Sequence, residues 1–154
     1  MSNQAAPAGS AVIPSFRYHD APAAIAWLER VLGFVRHAVH NGPNGTIAHA
    51  QLTFGATGMI MLGSATNSSP HPERNATPDA IGGRGTSPIY LIVPDCDPLW
   101  AQVQAAGATI VQPLRTMDYG GKSFTVADPE GYLWSVGEYD PRQATQQSPD
   151  SVQQ

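Results

Sequence analysis

Two stretches of the chain repeat one pattern, in which a short apolar run is followed by a polar break and then by apolar residues at helical spacing. VIPSFRY (12–18) leads to Asp20, after which Ile25, Leu28 and Leu32 recur every three or four positions until Gly33. The spacing predicts a helix with one buried stripe, capped by the Asp20 side chain and ended by a glycine free to adopt left-handed backbone angles. PIYLIV (88–93) leads in the same way to Asp97-Pro98, then to Leu99, Val103, Ala106 and Gly107. Here Asp97 is the expected cap and Pro98 the first helical residue, a position where a missing N–H does no harm. The terminal glycines lie 107 − 33 = 74 positions apart, and Asp20 and Asp95, the aspartates after the two apolar runs, lie 95 − 20 = 75 apart. The chain reads as an internal duplication.

Three strand-like stretches follow each helix. Phe34–His40, Thr46–Phe54 and Met59–Leu62 are separated by NGPNG and GATG, and Thr109–Leu114, Lys122–Val126 and Tyr132–Val136 by DYGG and DPEG. These separators are turn chemistry. The predicted order is β-α-β-β-β, twice, and the fold class is α+β, because a doubly wound sheet would need a helix at every crossover. Modules of about 11–63 and 88–138 form one domain over 11–140. The Ser-, Pro-, Asn- and Gly-rich connector 64–87 joins them, and residues 1–10 and 141–154, which have little to bury, are expected to be disordered.

Composition narrows the function classes. Of 154 residues 42% are apolar and 13% charged, enough for a packed core. Eight basic residues against 12 acidic ones, with Lys122 the sole lysine, leave no basic stripe for a phosphate backbone, so no nucleic-acid partner is expected. No apolar run approaches the roughly 18 residues of a membrane helix, and MSNQAAPAGS lacks the regions of a signal peptide. A cytoplasmic protein without a membrane partner is the expectation. Cys96 is the only cysteine, which excludes an intrachain disulfide and a thiolate zinc cluster. No phosphate loop, hydrolase elbow or nucleotide fingerprint occurs.

HDAPAAIAWLERVLGF, PDCDPLWAQVQAAGA and DPEGYLW, in that order and with the 74–75-residue repeat, resemble the vicinal oxygen chelate superfamily of glyoxalases, bleomycin-resistance proteins and extradiol dioxygenases. The resemblance implies a curved, mostly antiparallel sheet with helices on its outer face and a ligand on the concave one. It also implies that the metal ligands of metal-dependent members would fall at Ile13, Met61, Pro88 and Ser135. Zinc, nickel and iron need imidazole or carboxylate donors, which these four side chains do not offer. No metal and no cofactor are therefore expected, and the resemblance shifts toward metal-free binding members.

Strand alternation then assigns faces. If the old ligand positions point inward, so do Ser15, Arg17, Met59, Tyr90, Ile92 and Leu133. Ala48, Ala50, Leu52 and Phe54 make the helix-facing stripe of their strand, which turns His49, Gln51 and Thr53 inward. Ser15, Arg17, His49, Gln51, Met59, Met61, Tyr90, Ile92, Tyr119 and Ser135 are the candidate ligand-binding residues. Arg17 is a carboxylate anchor or a surface ion-pair member, and Met59 and Met61 are an adaptable wall or core filling. The Tyr119-Gly120-Gly121-Lys122 turn either closes over a ligand or is a plain hairpin. Trp27, Trp100 and Trp134 are assigned to packing. His37 and His40, three apart, are expected on opposite faces, and His71 falls in the connector. Cys96, just before a helix, is either a thiol of lowered pKa or a spectator.

The expected function is binding of a small, partly aromatic molecule by a homodimer, with sequestration or resistance as one use. Dimerisation is expected because each four-stranded module is an incomplete cup with exposed edges. The alternative is an isomerase, lyase or dioxygenase of the same fold. It would use His49 or Tyr119 as acid or base, or a non-standard metal site such as His49 with Glu138. No catalytic residue is assigned.

Overall fold

The chain, described here from a computed structural model that covers residues 9–66 and 71–143, repeats one topology. The first module contains β1 (Ser15–Tyr18), α1 (Ala21–Leu32), β2 (Val35–Asn41), β3 (Ile47–Phe54) and β4 (Gly58–Ser64). The second contains β5 (Ile89–Ile92), α2 (Asp97–Ala105), β6 (Thr109–Thr116), β7 (Lys122–Ala127) and β8 (Leu133–Gly137). Their sheets run β1-β4-β3-β2 and β5-β8-β7-β6, with the first pair parallel in each and the others antiparallel. Ser15 stands opposite Met61, and Tyr90 opposite Ser135. The 75- and 74-residue offsets between these pairs make the duplication a matter of register as well as spacing. The fold is α+β, as expected.

Local chemistry explains the first helix. The Asp20 carboxylate accepts the Ala23 N–H at 3.0 Å, and Gly33, with φ 76°, turns its own N–H back to the Leu28 and Glu29 carbonyls. The start of α2 departs from the expectation. Asp97 is already helical and Cys96 stands at the cap position without a side-chain bond, while the Asp95 carboxylate accepts the Asp97 N–H at 2.9 Å. Freed from capping, the Asp97 carboxylate sits in the first turn, where the helix dipole favours it, and pairs with Lys122.

Alternation along the strands builds one core. Phe16, Tyr18, Ala50, Leu52, Ile60 and Leu62 are buried against Ile25, Leu28, Val31 and Leu32 of α1. Leu91, Phe124, Val126, Trp134 and Val136 do the same with Val103 of α2, and all belong to a single cluster. Trp134 joins the halves, its ring 5.2 Å from Phe16 and 5.6 Å from Phe34. Trp27 is buried and Trp100 packs on Phe124 at 5.2 Å, so all three tryptophans serve packing.

Two bulges correct the face assignments. His40 stands opposite His49, but Asn41 stands opposite Ile47, so Ala48 is the extra residue. Ala48 is exposed and Ile47 takes the buried place expected for it, its N–H bonded to the Ser64 hydroxyl at 2.9 Å. A second register shift between Arg36 and Ala38 sets His37 into a bulge, which removes simple parity between His37 and His40.

The DPEG turn fastens the second module to the first. The buried Asp128 carboxylate accepts the Tyr18 O–H at 2.7 Å, the Trp134 indole N–H at 3.1 Å and the backbone N–H groups of Glu130 and Tyr132 at 3.0 Å each. Glu130 accepts the N–H groups of His19 (2.7 Å) and Asp20 (3.0 Å), and the Tyr132 hydroxyl donates to the Arg17 carbonyl at 2.8 Å. The described chain continues past residue 140 into a hydrogen-bonded turn at 141–143, while 1–8 and 144–154, where disorder was expected, lie outside the described residues. Among the described residues, no helix is long and apolar enough to cross a membrane.

The connector is held down by titratable groups. His19 Nε2 lies 3.0 Å from the Asp79 carboxylate, which also accepts the Thr77 hydroxyl. The hydrogen bond to Asp79 holds His19 above its ordinary value, while Thr77 and then His19 hold Asp79 below its own. The pair's contribution is therefore complete below pH 6.5, His19's ordinary value, and fades as the pH rises through the raised one. On the acid side it fades as the pH falls through the depressed Asp79 value. In an NMR titration His19 is expected to titrate above 6.5 and to return toward it in Asp79→Asn; an unchanged midpoint in the variant would refute the contact.

Candidate functional site

The face of each sheet turned away from the helices carries the candidate residues. Ser15 and Arg17 alternate with buried Phe16 and Tyr18, and Met59 and Met61 with residues packed under α1. Tyr90, Ile92, Thr125, Leu133 and Ser135 take the same open side of the second module. His49, Gln51 and Thr53 share that side in β3.

Three of these residues meet. Met59, Tyr90 and Ile92 line a cavity of about 530 Å³ at the seam between the modules, together with Pro14, Phe54 and Arg142. Phe54, expected in the helix-facing stripe, does pack on Phe34 at 5.1 Å but also reaches this seam. Tyr90 further walls a concavity of about 480 Å³ with Tyr119, Tyr139 and Pro141. Its hydroxyl donates to the Tyr139 carbonyl at 2.9 Å, and the Tyr119 ring meets the Tyr139 ring edge-on at 5.2 Å. Two glycines make this wall possible. A Cβ on Gly137 would collide with the Tyr90 ring, and Gly121, at φ 73°, turns the chain where a Cβ would stand 2.9 Å from the Glu138 side chain. Burial, more than the neighbouring Tyr119, pushes the Tyr90 phenol above its ordinary value, so it remains a hydrogen-bond donor at neutral pH.

The remaining candidates stand apart from that wall. His49 and Gln51 lie 3.2 Å apart through His49 Nε2 and the Gln51 amide nitrogen, and the His40 ring stacks beside His49 at 6.2 Å. The Ser135 and Thr125 hydroxyls bond each other at 2.8 Å. Arg17 lies across Gly63, where a Cβ would collide with its guanidinium, and forms no ion pair with a described residue. Met61 faces outward opposite Ser15, and Ser15 lines a separate small cavity.

The donor set does not fit the superfamily's metal. Ile13, Met61, Pro88 and Ser135 supply one hydroxyl and one thioether, and among the described residues no group of three His, Cys, Asp or Glu side chains is placed to hold a metal ion. Glu138, suggested as a partner of His49, is engaged elsewhere. Its oxygens accept the N–H groups of Cys96 at 3.0 Å and Lys122 at 2.9 Å. The Cys96 thiol is buried and donates to the Lys122 carbonyl at 3.3 Å. Burial, with Glu138 adding to it, pushes the thiol up to about 11, which leaves the spectator reading of Cys96. Tyr139 and Pro141 were missed from sequence, although the alternation Leu133, Ser135, Gly137 carried two residues further reaches Tyr139.

Residues 12–136 match the sequence profile of the glyoxalase/bleomycin resistance protein/dioxygenase superfamily. The chain belongs to this superfamily. It is 32% identical to TioX from Micromonospora sp. ML1, whose crystal structure superposes with a TM-score of 0.68 over 86% of this chain and 100% of TioX. An uncharacterized protein of Mycobacterium tuberculosis is 29% identical over 128 residues, 83% of this chain and 74% of that protein. A glyoxalase I mutant from Zea mays, at 17% identity and a TM-score of 0.62 over 81% of this chain and 43% of its own, shares the superfamily fold. Within the superfamily this chain keeps the paired modules.

Proposed function

We propose that this superfamily member binds a small, partly aromatic molecule without a metal, holding it against the tyrosine wall, in the manner of a sequestering or resistance protein. The observation that carries the reading is the convergence of Tyr90, Tyr119 and Tyr139 around an open apolar concavity beside the seam cavity. Each ring offers a broad face at low entropy cost, the usual means of holding a planar ligand. Met59 and Ile92 extend the wall with apolar side chains that adapt to shape. A second copy of the chain completes the cup, covering the open faces and bringing Arg17, His49, Gln51, Met61 and Ser135 to the ligand. The place of action is the cytoplasm.

The test combines dialysed protein, light scattering, elemental analysis and titration with the dye 1-anilinonaphthalene-8-sulfonate. A dimer without a stoichiometric metal is expected to bind the dye, and Tyr90→Ala to weaken that binding about tenfold with a near-native circular dichroism spectrum. Dye binding indifferent to Tyr90→Ala would remove the tyrosine wall from the function. A monomer in solution would remove the shared cup, and one tightly held metal per subunit, lost on His49→Ala, would replace the binding reading with a metalloenzyme.

A further inference from the structure

The connector builds a cavity separate from the tyrosine wall. After the buried Thr77 the chain makes a short 3-10 helix at Pro78–Ile81, closed by Gly82 at φ 75° and by a 2.7 Å bond from the Gly83 N–H to the Pro78 carbonyl. Pro78 packs on Gly131 of the DPEG turn, where a Cβ would stand 3.2 Å from it, and Asp79 is held to His19. The connector is thereby fixed to both modules. Under it lies a cavity of about 140 Å³.

Its lining is divided in character. Phe16, 7% exposed, and the half-buried Leu133 give the lining an apolar side, and the connector adds the exposed Ile81, Arg84 and Thr86, with Ser15 of β1. Arg84, like Arg17, has no carboxylate partner among the described residues, and it is the arginine that lines this cavity. A guanidinium offers a planar fork suited to a carboxylate, and Ser15, Thr86 and Ser87 bring hydroxyl donors to the same lining. Drug-sized ligands occupy roughly 300–1,000 Å³, so this cavity takes a much smaller body. A bare inorganic anion would leave the apolar side unused, and a neutral molecule would leave Arg84 unmatched.

We infer that the connector cavity binds a compact monocarboxylate, its apolar body against Phe16 and Leu133 and its carboxylate on Arg84. The site stands independently of the tyrosine wall and shares neither Tyr90 nor Tyr119 with it. Benzoate, benzamide and inorganic phosphate, titrated at constant ionic strength and followed by the amide resonances of Gly85, Thr86 and Leu133, test it. Benzoate is expected to give saturable shifts at these residues. Arg84→Gln should weaken that binding about tenfold while Arg74→Gln, a change to another connector arginine outside the cavity, leaves it intact. Benzamide, equal in shape but uncharged, should bind about tenfold more weakly than benzoate. The inference is overturned if the shifts do not saturate, if benzoate and benzamide bind alike, if phosphate binds these residues more tightly than benzoate, or if Arg84→Gln changes nothing.

Discussion

Asp128→Ala is expected to lower folding stability by about 3–5 kcal/mol, because one buried carboxylate accepts four hydrogen bonds. Each orphaned buried donor costs about 1–3 kcal/mol, and the four do not add fully since water enters the space left behind. Tyr18 is wholly buried, and burial together with Asp128 pushes its phenol far above the ordinary value, so it always presents a proton. Tyr18→Phe removes one donor and leaves the carboxylate three, so about 1 kcal/mol is expected there. Burial also raises the Asp128 carboxyl above its ordinary value, against the pull of its donors. That shift favours the protonated folded form, so its contribution is present below the ordinary carboxylate range and is lost as the pH rises through the raised value. Denaturant unfolding of the two variants decides the matter: no loss in Tyr18→Phe would mean that this bond does not tie the modules, and equal losses would mean that the three donors of the second module contribute nothing.

Leu28→Ala is expected to cost about 2–5 kcal/mol, while Met61→Arg changes stability by less than about 1 kcal/mol. Leu28 is wholly buried beneath α1 and its truncation leaves a cavity that neighbouring Leu52 and Leu62, themselves fully packed, cannot fill by rotating. Met61 sits on the opposite side of β4 from Ile60 and Leu62, with Ser15 and Gln51 beside it across the sheet. An arginine there has solvent within reach. A stable Leu28→Ala protein beside an unfolded Met61→Arg one would show that the faces are reversed.

Those faces were legible because strand alternation is strict wherever one side is buried, and Phe16, Leu52, Leu62 and Trp134 all obeyed it. What escaped was decided by single backbone bonds. Ala48 exchanged roles with Ile47 because the Ser64 hydroxyl captures the Ile47 N–H, a contact across 17 residues that no local pattern encodes. Asp97 and Asp95 are equally good caps on paper, and the proximity of Lys122 to Asp97 is visible only once β7 is in place. DPEG was readable as a turn, but its grip on Tyr18, His19 and Asp20 depends on bringing together positions about 110 apart. The tyrosine wall was half legible: Tyr90 and Tyr119 were named, whereas Tyr139 lies beyond the last strand and joins Tyr90 through its carbonyl and Tyr119 through its ring. The connector's composition spoke only of turns, and its cavity exists because Pro78 finds Gly131 on another module.

The long reach of the DPEG turn also sets an order of events during synthesis. The first module leaves the ribosome with its sheet and helix sequences complete, yet the Tyr18 hydroxyl and the N–H groups of His19 and Asp20 have no partner until Asp128 and Glu130 emerge. Contacts this distant in the chain are slow to close, since the entropy of a long loop is lost before any bond rewards it. The nascent N-terminal half is thus a waiting half, with Phe16 and Phe34 uncovered until Trp134 arrives. Folding is therefore expected to complete only as the last two strands dock, with the duplicated chain unfolding in one cooperative transition rather than as two repeats.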